Sequence, residues 1–235
     1  ALADVKSIAK IVRDSNAVLV VDTISGLVAD ELKTDEWGVD IAVGGSQKGL
    51  MIPPGIGFCS VSEKAWKLVT ESKCPKFYFS FNKARKALAS FDHPFTPAIT
   101  LIIALKETLA MIKQAGIDNL VIMYAKFAKA IRAAIKALNL EMFAKHPANC
   151  VSAIKIPEGI DGEKIYKTLR DEMGVTFAGG QDQLKGKVIR MATMGYQSQF
   201  DIITAVSALE AGLKKMGYQF NAGDGVKAAQ QILLG

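Results

Sequence analysis

Residues 17–30 read AVLVVDTISGLVAD, and five aliphatic residues run unbroken from Ala17 to Val21 before the chain turns to Asp22. A run so continuous reads as a strand buried on both faces. The stretch before it, ALADVKSIAKIVRDSN, carries Leu2, Val5, Ile8, Ile11 and Val12 at helical spacing. A helix followed by a buried strand is half of an α/β unit. Asp22 then needs an explanation, because carboxylates are seldom buried without a partner. Ligand sites in α/β sheets gather at the carboxyl ends of strands. An acid there stays charged at low cost if it faces a cation or a protonated ring nitrogen.

Further along, WGVDIAVGGSQKGL predicts a second short strand, Ile41 to Val43, closed by Gly44 and Gly45. After the turn Pro53-Pro54-Gly55, GIGFCSVS predicts a third, an antiparallel excursion beside an otherwise parallel sheet. Lys48 follows the second strand among Gly44, Gly45 and Gly49, on backbone that can approach a ligand closely. Taken singly, Lys48 reads first as a surface lysine in a glycine-rich turn, and Asp22 as readily as a turn cap. Together they make the pair that pyridoxal-phosphate chemistry uses. The amine bonds the cofactor carbonyl, and the acid keeps the pyridine nitrogen protonated so that the ring acts as an electron sink.

TPAITLIIALKETLAMIKQAG predicts a long helix with Pro97 in its first turn and Gly116 at its stop, and DNLVIMYAKFAKAIRAAIKALN predicts another. The pattern then changes. VSAIKIP alternates as a half-buried strand, DGEKIYKTLRDEMG is a helix ended by Gly174, KVIRMATMG is a strand and FDIITAVSALEAGLKKMG a closing helix. This order predicts an α/β domain with a mainly parallel sheet over residues 1–116 and a small α+β domain over residues 117–235. The tail after Gly217 reads as frayed or as a short added helix.

A chain of 235 residues, 50% hydrophobic and 22% charged, has the make-up of a soluble globular protein with a real core. Its net charge of +6 comes from lysines scattered among acids, which points away from nucleic-acid and membrane binding. The three cysteines, Cys59, Cys74 and Cys150, are far apart and odd in number, so neither they nor the two histidines form a disulfide framework or a metal site. That pattern predicts a cytoplasmic protein without a metal. No apolar run reaches the ~18 to 20 residues that span a bilayer. No signal-peptide pattern opens the chain, which starts inside a helical pattern as though its beginning were missing.

The stretches VDTISGL, DEWGVDIAVGGSQKGLMIPPGIGF, HPFTPAITLIIALKETL and EGIDGEKIYKTLRDEMGVTFAGGQDQLKGKVIRMATMGY resemble class V aminotransferases of the fold-type I pyridoxal-phosphate superfamily. The branch is that of the alanine–glyoxylate and serine–glyoxylate (serine–pyruvate) aminotransferases. The resemblance implies that Lys48 carries pyridoxal 5'-phosphate covalently, that Asp22 pairs with the pyridine nitrogen, and that Gln47 and Ser46 help hold the phosphate. It implies a homodimer in which HPFTP crosses the interface, with Thr96 reaching the partner's phosphate; a capping role for Thr96 before Pro97 stands beside this. Arg190, on its own a strand residue facing solvent, becomes the clamp on the substrate α-carboxylate. AGGQDQLKG becomes the loop that meets the site from the small domain, or else a hairpin shaped by Gly179 and Gly180. The implied reaction is transamination between alanine or serine and glyoxylate or pyruvate. Relatives carry a long upstream stretch with the phosphate-cradling turn and the ring-stacking aromatic. The chain therefore reads as a C-terminal portion, inactive and weak in cofactor retention by itself.

Other readings fit these residues too. A cysteine desulfurase shares the lysine and acid, but those enzymes put His before the lysine, where this chain has Gln47, and need a mobile Cys; Cys150 precedes a core strand. A pyridoxal-phosphate lyase fits the same residues. A non-catalytic assembly subunit is a third reading, since some relatives carry a soluble-hydrogenase-subunit label, though no iron–sulfur cysteine spacing supports redox work. A dinucleotide binder is excluded because no GxGxxG follows the first strand.

Overall fold

The helical spacing at the N-terminus forms α1, Val5–Arg13, whose first turn is capped by Asp4 accepting from Ser7 N–H at 3.0 Å. It opens a computed structural model that describes residues 1–235. The chain divides into two units, one of Asp4–Leu27 with Leu32–Gln114, the other of Ala1–Ala3, Val28–Glu31 and Ala115–Gly235. No helix in either is long and apolar enough to cross a membrane.

In the first unit α1 is followed by β1 (Val20–Asp22), α2 (Thr34–Trp37), β2 (Ile41–Gly45), β3 (Gly57–Val61), α3 (Glu63–Glu71), α4 (Phe81–Leu88) and α5 (Ile99–Ala115). The sheet order is β1-β2-β3. β1 runs parallel to β2, with Asp22 opposite Val43, and β3 returns antiparallel, with Phe58 opposite Gly44. One face is covered: Leu19 and Val21 pack on a cluster of Ala9, Trp37, Val39 and Ala42. The other face of β1 is not, and Val20 is 56% exposed. The doubly buried strand predicted for Ala17–Asp22 is thus three residues long and covered on one side. The aliphatic run records what the strand can bury; its cover depends on neighbours, and here β2 alone pairs with it. α5 begins at Ile99, so Pro97 lies just ahead of the first turn rather than in it.

The buried acid of this unit is Asp40, which accepts from Leu19 N–H at 2.9 Å and the Ser62 hydroxyl at 2.8 Å, with Lys64 at 3.8 Å. It joins the approach to β1 to the start of α3. An apolar groove of about 410 Å³ beside Val18, Ile41 and Leu68 lies at the opposite strand ends from Asp22 and Gly45.

The second unit contains α6 (Ile117–Ala137), β4 (Val151–Lys155), α7 (Gly162–Met173), β5 (Ala178–Gly179), β6 (Val188–Ala192), α8 (Gln199–Lys215) and α9 (Asp224–Leu233). Its sheet is antiparallel in the order β4-β6-β5. Ile154, Ile189 and Met191 point from one face into a core with Ile165, Leu169, Val206 and Leu209. Gly174 ends α7 in the left-handed conformation, φ 69°, as a C-cap glycine should. Gly180 turns the β5–β6 connection so tightly that a Cβ there would stand 1.9 Å from Leu184 O.

The tail forms α9, with Ala229 and Leu233 buried. Its N-terminus is held by Glu210 of α8, a carboxylate 8% exposed that accepts from Gly223 N–H at 2.7 Å and Val226 N–H at 3.0 Å. Negative charge at a helix N-terminus satisfies orphan donors and complements the dipole. Glu210→Ala strands both amides, and thermal unfolding should show a loss of roughly 1–3 kcal/mol. Glu210→Gln, which keeps one acceptor, should lose less; equal stability of all three proteins would contradict this role.

Candidate active site

Because β1 and β2 are parallel, Asp22 and Gly45 finish at the same edge of the sheet. Thr23 fastens that edge, its N–H and hydroxyl both donating to Val43 O at 2.9 and 2.8 Å. Asp22 itself is exposed, and one carboxylate oxygen accepts from Ile24 N–H at 2.9 Å. An exposed acid pays no burial penalty, which removes the difficulty its position raised. Its second oxygen stays open to a donor.

Ser46 is fully buried, donating its hydroxyl proton to Pro53 O at 2.8 Å and accepting from Ile56 N–H at 3.2 Å. With that proton committed, Ser46 has none to offer a phosphate, and it acts here as the brace of the 46–56 loop. Gln47 is exposed, and its side chain folds back beside Gly45. A Cβ on Gly45 would meet Gln47 Oε1 at 3.1 Å and Ile24 Cγ2 at 3.4 Å, so the missing side chain keeps a gap between the two strand ends. Lys48 is half-buried, and no carboxylate pairs with its ammonium.

Thr96 is exposed and lies before Ala98 and the first turn of α5. The HPFTP segment around it is pinned by Phe95, whose ring stacks on Tyr78 at 4.7 Å and meets Phe77 at 5.7 Å.

Arg190 lies in the second unit, on the central strand β6, half-buried rather than turned freely to solvent. Its cross-strand neighbours are Ala153 and Ala178, which leave room for a long side chain between them. Nε donates to Gly179 O at 2.9 Å, which aims the guanidinium and leaves its two terminal nitrogens for a carboxylate. Gly179 and Gly180 do shape a hairpin, since β5 pairs antiparallel with β6.

Asp30, Asn149 and Thr193 went unread in the sequence. Asp30 is 7% exposed and accepts from Asn149 N–H at 2.9 and 3.2 Å. Leu27-Val28-Ala29 ahead of it was the available signal of a buried segment. Burial pushes the nearby Arg132 guanidinium down from its ordinary value, and the Asp30 charge partly offsets this. Cys150 is 3% exposed, which denies it the mobility of a desulfurase nucleophile.

The family described as aminotransferase class-V matches residues 1–223. The chain belongs to the class V aminotransferases. This class V chain is 41% identical over 220 residues to a soluble hydrogenase small subunit of Synechococcus sp. (strain PCC 6716), covering 92% of itself and 57% of that protein. It is 35% identical over 220 residues to the serine–glyoxylate aminotransferase of Hyphomicrobium methylovorum, covering 92% and 54%. The structure of ureidoglycine–glyoxylate aminotransferase from Bacillus subtilis matches all of it with a TM-score of 0.93 at 27% identity, over 62% of that chain. The class V chain thus has the α/β fold of those enzymes and spans a little over half the length of these curated relatives. The family's cofactor is pyridoxal 5'-phosphate. The residues fit it: an amine at Lys48 with no carboxylate partner on the loop leaving β2, an open carboxylate oxygen at Asp22 where parallel β1 ends, and the space that Gly45 keeps free beside Gln47 and Ile24.

Proposed function

We propose that this chain is the portion of a pyridoxal-phosphate aminotransferase that supplies the lysine, the ring acid and the substrate clamp. The reaction is amino transfer between a small amino acid, alanine or serine, and a 2-oxo acid, glyoxylate or pyruvate. The observation that carries it is the parallel pairing of β1 and β2, which ends one strand on the open Asp22 carboxylate and sends the other at the same end of the sheet into the loop that bears the unpaired Lys48 amine. When bound, the cofactor supplies an electron sink for negative charge at the substrate α-carbon. Lys48 Nζ would hold it, and once the incoming amino group has displaced that amine it would take and return the proton at the α-carbon, a general-base role that an amine without a carboxylate partner can serve. Asp22 offers its free oxygen to the ring nitrogen. Gln47 and Thr96 donate to the phosphate, Thr96 from a second copy of the chain, while Ser46 holds the loop. Arg190 grips the α-carboxylate common to donor and acceptor.

The glyoxylate-linked names of the relatives support the acceptor class. A homodimer is supported by the exposed rings of Phe77, Phe79 and Phe91, 71, 85 and 100% exposed, which a partner surface could cover; sedimentation of the full-length protein reads it directly. Three unbridged cysteines support a cytoplasmic setting, which imaging of the tagged protein tests.

The deciding experiment is a visible-absorption titration of the full-length protein with pyridoxal phosphate, then alanine, then glyoxylate. A band that alanine bleaches and glyoxylate restores, with pyruvate and glycine formed in step, is the expected result. No band, or a band indifferent to alanine, sinks the reading and favours an assembly role.

A further inference from the structure

Although Val28–Glu31 follows directly on the Asp22 turn, it belongs to the second unit. Val28 and Ala29 are 4% and 0% exposed. Val28 has φ 73°, a left-handed conformation that a Cβ-branched residue adopts only when its surroundings hold it there. Asp30 is what the insert delivers. Both its oxygens take Asn149 N–H, Asn149 O accepts the Thr193 hydroxyl, and Thr193 N–H returns to Cys150 O at 2.9 Å.

Thr193 is fully buried and follows Ala192, the last residue of β6, in the chain, while Arg190 lies on β6 itself. The same end is held again where the Tyr124 hydroxyl donates to Gly195 O at 2.7 Å. Arg132 steadies the Asn149 side of the relay, its terminal nitrogen donating to Ala148 O at 2.8 Å and Pro147 O at 3.3 Å. Arg190 therefore has its guanidinium aimed by Gly179 O and the end of its strand set by a carboxylate from a distant part of the sequence.

We propose that Asp30 is a positioning residue for substrate binding: through Asn149 and Thr193 it sets the end of the strand that carries Arg190. The proposal rests on Arg190 being the carboxylate clamp. A bidentate grip needs the guanidinium in plane with the carboxylate, and a misplacement of about 1 Å costs up to about 10²-fold.

The test uses full-length holoenzyme at low temperature, where every variant compared is folded by circular dichroism. Asp30→Ala and the milder Thr193→Val should each raise KM for glyoxylate about tenfold, with kcat within about twofold, since both disturb placement and neither touches the reacting atoms. Thr193→Ser, which keeps the hydroxyl, should restore KM. A second readout needs no turnover: in cofactor-free protein the Arg190 Nε–H proton, shielded by Gly179 O, should exchange faster in Asp30→Ala and Thr193→Val than in the parent or Thr193→Ser. A lowered Tm with KM and exchange both unchanged overturns the proposal and leaves Asp30 as a structural brace. A fall in kcat at constant KM overturns it too. Arg190→Lys serves as the control: if it raises KM while Asp30→Ala does not, the positioning role alone fails, and if it leaves KM unchanged, the clamp assignment fails first.

Discussion

Lys48→Ala in the full-length protein should remove amino transfer, lowering kcat by at least about 10³-fold, if one amine both anchors the cofactor and shuttles the α-proton as proposed. Folding should not notice. Lys48 is half-buried and pairs with no carboxylate, so its loss should move unfolding by less than about 0.5 kcal/mol. Lys48→Arg sharpens the result, since it keeps the charge but offers a guanidinium that does not deprotonate in proteins. The arginine protein should be as inactive as the alanine one, by coupled assay of pyruvate release from alanine. Retained turnover in either would mean that the amine is not the working group, and the lyase and aminotransferase readings would fall together.

Arg190→Lys carries the second large effect. The native guanidinium spends Nε on Gly179 O and leaves its two terminal nitrogens open, the planar fork proposed to take the substrate. A lysine ammonium can satisfy the carbonyl or a carboxylate, but it does not reproduce both in one plane. Losing a charged hydrogen bond of about 1.5–3 kcal/mol should raise KM roughly 10- to 100-fold. Donor and acceptor both carry the α-carboxylate, so KM should rise for alanine and for glyoxylate alike. An increase confined to one substrate would show that Arg190 reads a side chain instead.

Much of this was legible because it depended on local chemistry. Gly44, Gly45 and Lys48 announce a strand end with a close backbone approach, and Asp22 announces another; parallel pairing then brings them to one edge. The alternation in VSAIKIP and the Gly174 stop reappear in β4 and α7. What escaped reading depends on partners far away in sequence. Ser46 looked like a phosphate donor until Pro53 O and Ile56 N–H claimed its hydroxyl. The tail after Gly217 could be read as frayed or as a short helix, and what decides for α9 is remote: it starts at a glycine without a side-chain cap, and its cap arrives from Glu210. Asp30 follows the apolar Leu27-Val28-Ala29, but the group it serves, Asn149 N–H, lies far away in sequence. The exposure of Val20 likewise reflects a sheet face without a neighbour in this chain, which no property of valine foretells.

Arg190 stands between two alanines, Ala153 and Ala178, on the strands to either side of β6. If Arg190 is the clamp, the two methyls beside it are the part of the site that can be changed without touching the guanidinium. Exchanging one alanine for a larger residue crowds the guanidinium and shortens its reach, retuning which acids it accepts without altering the chemistry. A lineage could thus pass from one small substrate to another through changes that never touch a catalytic side chain.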